Sequence, residues 1–205
     1  MLVSDLLVGS FAPASSFVGM AEATVRPAVP TDAAEIARIQ LTTWRAAYQD
    51  LLPAEVLDAL DAGEAEATWR HTIEQGPARV FVAAEGQWHV GFVAAGASPQ
   101  DESADATGTP VPDADHVALV STLLVEPRWG RRGHGGRLLA AAGDAMLADG
   151  LARGISWVAE ADKASLRFWE RAGWAPDGTV RTLDAGGRPL REVRMTGTLS
   201  FQLEK

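Results

Sequence analysis

"HVALVSTLLVEPRWGRRGHGGRLL", His116–Leu139, sets the architecture of the chain. It opens as an apolar, branched run through Val125, the pattern of a strand buried on both faces of a sheet. The run stops at Glu126-Pro127, and the stretch that follows carries Arg128, Arg131, Arg132 and Arg137 among Gly130, Gly133, Gly135 and Gly136. Leu138, Leu139, Ala142 and Met146 then recur at helical spacing until Gly150 stops them. Strand, glycine-rich turn and helix in this order form a site for anions. Backbone N–H groups at the helix start have no intrahelical acceptor, the positive end of the helix dipole points the same way, and glycine lets a phosphate come close. Neighbouring arginines add charge-assisted hydrogen bonds.

Two phosphate motifs fail on the letters. No Gly-Lys-Ser/Thr occurs, so the nucleoside-triphosphate loop is absent. Gly133-His134-Gly135-Gly136-Arg137-Leu138 ends in Leu138 where the dinucleotide fingerprint needs its third glycine.

The local positive charge stands out because the chain is acidic, with 18 Lys and Arg against 27 Asp and Glu and a net charge of −9. That balance argues against a nucleic-acid partner, which needs a broad basic face. A length of 205 residues suffices for one well-cored domain. Cysteine is absent, which removes disulfides, thiolate nucleophiles and Cys-based zinc sites. His71, His89, His116 and His134 are scattered without metal-ligand spacing, so no metal is expected. No apolar stretch is long enough to span a membrane. Residues 1–22 carry Asp5 and no Lys or Arg, a weak signal-peptide pattern, and are expected to form a flexible leader before a domain over 23–205. A cytoplasmic location is the expectation.

Working outward, Ala23–Pro30 reads as a short strand, and Thr31 as the cap of a helix that carries Ile36, Ile39, Trp44 and Tyr48. One or two short helices follow up to Gly76, then a hairpin turning at Glu85-Gly86. Ser98–Asp115 holds Asp101, Glu102, Asp105, Asp113 and Asp115 with no base and reads as a solvated loop, long for a compact domain. A strand at "GISWVAEA", a short helix at "SLRFWERAG" and a closing strand at "REVRMTGTLSFQLE" complete the pattern. There is no internal repeat.

Three segments share one family's pattern. Val125-Glu126-Pro127, Gly130-Arg131-Arg132-Gly133-His134-Gly135 and Leu138-Leu139 follow Val-x-Pro, Gln/Arg-x-x-Gly-x-Gly/Ala and a pair of leucines. Asp162-Lys163-Ala164-Ser165-Leu166-Arg167-Phe168-Trp169-Glu170-Arg171-Ala172-Gly173-Trp174 follows Asn-x-x-Ala-x-x-Phe-Tyr-Glu-x-x-Gly-Phe. "TWRAAYQDLLPAEVLDAL", from Thr43, is similar to the first helical region of a bacterial branch. In these segments the chain resembles the GCN5-related N-acetyltransferases, the GNAT family, from about Val25 to its C-terminus.

The resemblance implies an α/β single domain with the GNAT fold, a mixed, mostly antiparallel central sheet flanked by helices. It implies acetyl-CoA as co-substrate and acetyl transfer to a primary amine by direct attack, the acceptor being a small molecule or a protein amine. Backbone groups of Leu123, Leu124 and Val125 would pair with the pantetheine arm, amides of Arg131, Arg132, Gly133, His134, Gly135 and Gly136 would hold the pyrophosphate, and Asp162 and Phe168 would lie against the cofactor. A homodimer is compatible with the family.

Several positions depart from the pattern. Gly130 stands where Gln or Arg is usual, leaving Arg128, Arg131 or Arg132 to assist the pyrophosphate. Trp169 replaces the tyrosine that in many relatives protonates the leaving thiolate, and an indole cannot do so. Trp157 replaces a frequent strand glutamate. The remaining candidates are Glu160 and Asp162 for the base and Tyr48, the only tyrosine, for the acceptor site or the proton donor. The missing tyrosine and glutamate also leave a CoA-binding module with little or no catalysis as the alternative.

Overall fold

The computed structural model describes residues 22–201, so the expected leader lies, but for Glu22, outside the described residues. Seven strands form one sheet in the order β1-β2-β3-β4-β5-β7-β6. They are β1 (Ala23–Pro27), β2 (Arg79–Glu85), β3 (Trp88–Ala97), β4 (Val117–Val125), β5 (Arg153–Ala159), β6 (Ala175–Asp184) and β7 (Pro189–Thr198). Every neighbouring pair is antiparallel except β4 with β5. The mixed, mostly antiparallel sheet is therefore as expected.

Helices cover both faces. On one side α1 (Ala33–Ala47) and α3 (Ala62–Gln75) bury Ile36, Ile39 and Trp69 against Val80, Val82, Phe92 and Ala94. Trp69 meets the Phe92 ring edge-on and donates its indole N–H to Gln40 at 2.7 Å, satisfying the polar end of a buried aromatic. On the other side α5 (His134–Ala148) and α6 (Lys163–Arg171) pack Leu138, Leu139, Met146 and Trp169 onto Val93, Val120, Val158 and Met195. Trp174 follows α6 and lies over Gly154 of β5 and Gly197 of β7. A Cβ at either glycine would sit 2.3 Å from the indole, so both positions need the bare backbone.

Three local expectations change. The start of α1 is not capped by Thr31. Instead the Asp32 carboxylate accepts the Val29 N–H at 2.8 Å and both Arg26 amino groups, and that guanidinium holds its carboxyl below the usual range. The closing strand has a partner that periodicity missed: β6 pairs with β7 across a turn at 185–188 containing Gly186 and Gly187, both at positive φ. Its outer residues are exposed, so no apolar alternation marks it as a strand.

The acidic stretch Ser98–Asp115 is also not a simple solvated loop. It forms a short helix α4 (Gln100–Ser103) and buries Ser103 and Ala104. The buried Arg194 of β7 reaches into it, donating to the carbonyls of Glu102 at 2.8 Å and Ala104 at 2.6 Å. The base absent from the loop's own sequence is supplied by the sheet.

Candidate active site

β4 and β5 run together only briefly. Val117, Ala118 and Leu119 pair with Arg153, Gly154 and Ile155, and there the ladder stops. Two features open it. β4 gains an extra residue against β3, where Ala94 faces Thr122 and Ala95 faces Val120, and a bulge of this kind bends its strand. The Ser156 hydroxyl donates to the Val120 carbonyl at 2.9 Å, taking the acceptor that the next ladder bond would use. Beyond this point Leu123, Leu124 and Val125 remain paired to β3 while their other edge faces the gap.

The gap leads directly into the glycine-arginine turn. Arg131 (φ 64°) and Gly133 (φ 81°) are left-handed, and α5 starts at the next residue, His134. Among the described residues, no protein acceptor pairs with any backbone N–H from Arg131 to Gly136; the first amide of the helix that does bond is Arg137, to the Gly133 carbonyl at 3.1 Å. The left-handed residues turn these amides into one concavity, an anion nest on a helix dipole. A Cβ at Gly136 would meet nothing within 4 Å, so the nest is open there, whereas one at Gly135 would lie 3.0 Å from the Phe168 ring. Phe168 thus walls the nest, and the residues present fit a pyrophosphate-bearing ligand.

The arginines divide into occupied and free. Arg128 pairs with Glu126 at 2.6 Å, and Arg132 pairs with Glu85 at 2.8 Å. Both also approach the Trp129 ring. Arg137 reaches back to the Arg132 carbonyl at 3.0 Å. Among the described residues Arg131 has no ion-pair partner, so it is the turn's available guanidinium.

His134 lies inside the turn rather than on its surface. Its ring is buried, and Nε2–H donates to Glu85 at 2.9 Å. Glu85, from the end of β2, therefore ties both Arg132 and His134 and fixes the turn on either side of Gly133. Glu85→Ala is expected to weaken acetyl-CoA binding about tenfold, since it leaves a buried imidazole unpaired and loosens the nest. Isothermal titration checks this, and wild-type affinity would show that the turn holds its shape without Glu85.

The proposed base and donor residues end up in different settings. Asp162 caps α6: its carboxylate accepts from Ala164 N at 3.1 Å, Ser165 N at 3.0 Å and the Ser165 hydroxyl at 2.7 Å. Glu160 is exposed and pairs with Arg191 at 3.0 Å. Both carboxylates thus already accept from protein groups, Asp162 from its own helix and Glu160 from Arg191. Tyr48 closes α1 with its ring edge-on to Trp44. Burial, followed by the charges of Asp162 and Glu192, pushes its phenol up to about 12. Tyr48 and Asp162 are thus brought into electrostatic reach, and Glu160 stands apart. Trp169 lies in the core against Trp174, with centroids 4.5 Å apart.

Sequence reasoning missed the residues on the face opposite α5 and α6. Side chains directly paired in an antiparallel ladder share a face, so Trp157 stands beside Arg194, and Glu192 beside Ala159 and Arg181. Over them the acidic loop places Glu102, which accepts the Trp157 indole N–H at 2.5 Å and an Arg181 amino group at 2.9 Å. Arg181 also lies over the Trp157 ring, 4.4 Å from its centroid. The β6–β7 turn closes this side by reaching the α1–α2 connection, where Arg188 donates to the Asp50 carbonyl at 3.4 Å; α2 spans Ala54–Asp58. A separate cleft of about 520 Å³, lined by Asp105, Arg153, Asp177 and Arg194 among others, shares no residue with the nest or the splayed half of β4.

A parallel strand pair that splays onto a nest of unpaired amides is an arrangement suited to an extended, anion-tipped ligand along a free strand edge. The model of the Acetyltransferase (GNAT) family matches residues 33–174, and the chain belongs to that family. It is an acyltransferase of the acetyl-CoA-dependent N-acetyltransferase class. YuaI, an uncharacterized N-acetyltransferase of Bacillus subtilis, is 28% identical over 172 residues, which cover 83% of this chain and 90% of YuaI. The fold is similar to that of the PaiA N-acetyltransferase of Thermoplasma acidophilum in complex with coenzyme A, at a TM-score of 0.64 and 13% identity over 86% of this chain and 99% of that one. It is also similar to yncA of Salmonella typhimurium, solved with its cofactor acetyl-CoA, at a TM-score of 0.64 and 18% identity over 90% and 98% of the two chains. Among the described residues no helix is long and apolar enough to cross a membrane.

Proposed function

We propose that this protein transfers the acetyl group of acetyl-CoA to a primary amine by direct attack. The observation that carries the reading is the continuous path from the free edge of β4 at Leu123–Val125 to the unpaired amides of Arg131–Gly136. When bound, acetyl-CoA supplies an activated thioester. The amides from Arg131 to Gly136 hold its pyrophosphate, Arg131 adds side-chain charge and Phe168 walls the nest. The edge of β4 pairs with the pantetheine arm, and a backbone N–H there polarises the thioester carbonyl. Asp162 caps α6 and so positions Phe168. Tyr48 holds its phenolic proton at neutral pH and gives it to the departing thiolate.

Acetyl-CoA is expected to bind with micromolar affinity in isothermal titration, and a thiol-release screen over primary amines is expected to find an acetylated product. Tyr48→Phe is expected to lower kcat about 10²-fold with acetyl-CoA affinity retained. Cofactor binding without turnover of any amine would leave the binding-module reading instead.

A further inference from the structure

Of the five acids between Ser98 and Asp115, Glu102 is the one whose carboxylate reaches Trp157 and Arg181. Asp105 closes its own turn, accepting from Thr107 and Thr109 backbone N–H groups at 2.8 and 2.9 Å. Asp113 pairs with Arg153 at 2.5 Å, and Asp101 and Asp115 are exposed. Glu102 lies 55 residues before Trp157 and still delivers its carboxylate to that indole. Its side chain is 27% exposed, mostly covered by the protein but still open to a small ligand.

Two features fix its place. Arg194, only 5% exposed, grips the Glu102 and Ala104 carbonyls and holds the loop backbone against β7. Trp157 lies two residues beyond Ile155, the last β5 residue paired to β4, so Glu102 stands where β5 has left β4.

The charge around it is unbalanced. Arg181 pairs with Glu102 at 2.9 Å and with Glu192 at 2.6 Å, so one guanidinium serves two carboxylates. The neighbouring Arg194 is matched to Asp177 at 2.7 Å and contributes no spare positive charge. The group of Glu102, Glu192 and Arg181 therefore keeps one net negative charge beside an indole and next to the open strand edge. Such a site attracts a small cation and repels an anion.

We propose that Glu102 is the carboxylate that contacts the acceptor's ammonium group and takes its first proton, an assignment that rests on the acetyl-transfer reading above. The ammonium N–H hydrogen-bonds to the Glu102 carboxylate and passes its proton there. The freed nitrogen lone pair attacks the thioester carbonyl carbon. The C–N bond forms and the C–S bond breaks. The amine's second lost proton ends on the departing thiol, with Tyr48 as its carrier, and the proton on Glu102 passes to solvent. One ammonium and one thioester thus give one amide, one thiol and one released proton. The acceptor class is a primary amine that is cationic at neutral pH and carries no carboxylate next to its nitrogen, because a second anion would face Glu192 as well.

Glu102→Gln tests the assignment, since it retains an oxygen for the Trp157 and Arg181 donors and removes the base. With an amine found in the thiol-release screen, kcat/KM is expected to fall about 10²-fold and the acidic limb of its pH profile to disappear. Acetyl-CoA affinity by titration is expected to be unchanged. Glu102→Asp is expected to keep the limb at a reduced rate. A Gln variant that retains the limb, at whatever rate, overturns the role of Glu102 and leaves the acetyl-transfer reading intact. A wild-type protein that binds acetyl-CoA and acetylates no amine overturns both.

Discussion

Aspartate at Gly136 is expected to abolish acetyl-CoA binding while leaving the fold intact. Gly136 lies within the run of unpaired amides from Arg131 onward, and a Cβ there would meet nothing within 4 Å. The new side chain therefore costs no packing and puts a carboxylate on a residue of the amide run that would hold phosphate. Two unit charges about 4 Å apart repel by about 4 kcal/mol at an effective dielectric of about 20, and a pyrophosphate presents more than one. A loss of at least about 10³-fold in affinity follows, beyond the range of an ordinary titration. Gly136→Ala, which adds volume without charge, is expected to bind almost as wild type. Gly135→Ala is expected to bind less well than Gly136→Ala, because its Cβ would press on the Phe168 ring at 3.0 Å. Equal, near-wild-type titrations for all three would place the pyrophosphate elsewhere and end the assignment of the nest.

That ordering was only partly legible in the letters. The strand, turn and helix from Val117 to Ala148 followed from branched apolar residues, glycine spacing and helical periodicity, all local signals. Family resemblance correctly implied the mixed sheet and the acetyltransferase class. The difference between Gly135 and Gly136 was not visible, since it depends on where α6, almost thirty residues away, sets Phe168. For the same reason the burial of His134 was not legible: nothing near it in sequence announces Glu85, which reaches it from β2.

The acceptor side was the least legible. Trp157 was visible as a departure from the family's strand glutamate, and the acids after Ser98 were visible as a charge cluster. Only the tertiary fold joins them, through a hydrogen bond between residues 55 apart. A solvated loop and a docked loop have the same composition; what separates them is a buried arginine on another strand. A usable signal did exist in Arg194, a charged residue in "REVRMTGTLSF", at a position of a closing strand whose neighbours are apolar. An interior charge must be paired, so Arg194 implied acceptors arriving from elsewhere. Asp162 shows the converse, since an acidic residue just before a helix is a cap before it is a catalyst.

Arg194 is accordingly the side chain whose loss is expected to cost the most stability. Its guanidinium donates to Asp177 at 2.7 Å, to the Thr179 hydroxyl at 2.9 Å and to the two loop carbonyls. Methionine would fill much of the same volume and satisfy none of these acceptors. Hydrogen bonds to charged groups contribute about 1.5–3 kcal/mol each, and breaking a buried pair costs about 3–5 kcal/mol. Asp177 keeps some contact with water, its side chain being 19% exposed, which argues for the lower end, about 3 kcal/mol. For a domain of this size that lowers Tm by roughly 6–12 °C, measurable by calorimetry. Arg194→Lys is expected to lose less than the Met variant, because its ammonium keeps the charge and some of these acceptors, but still to fall short of wild type, because one ammonium cannot reach acceptors spread around a planar fork. Because the lost bonds include the anchors of the Glu102 backbone, turnover is expected to fall further than acetyl-CoA affinity in the Met variant below its Tm. The nest lies in the turn between β4 and α5, and among the described residues no hydrogen bond ties it to the loop. Parallel losses of turnover and cofactor binding would instead mean that the loop, the sheet and the nest unfold as one unit, with no separate anchoring role for Arg194.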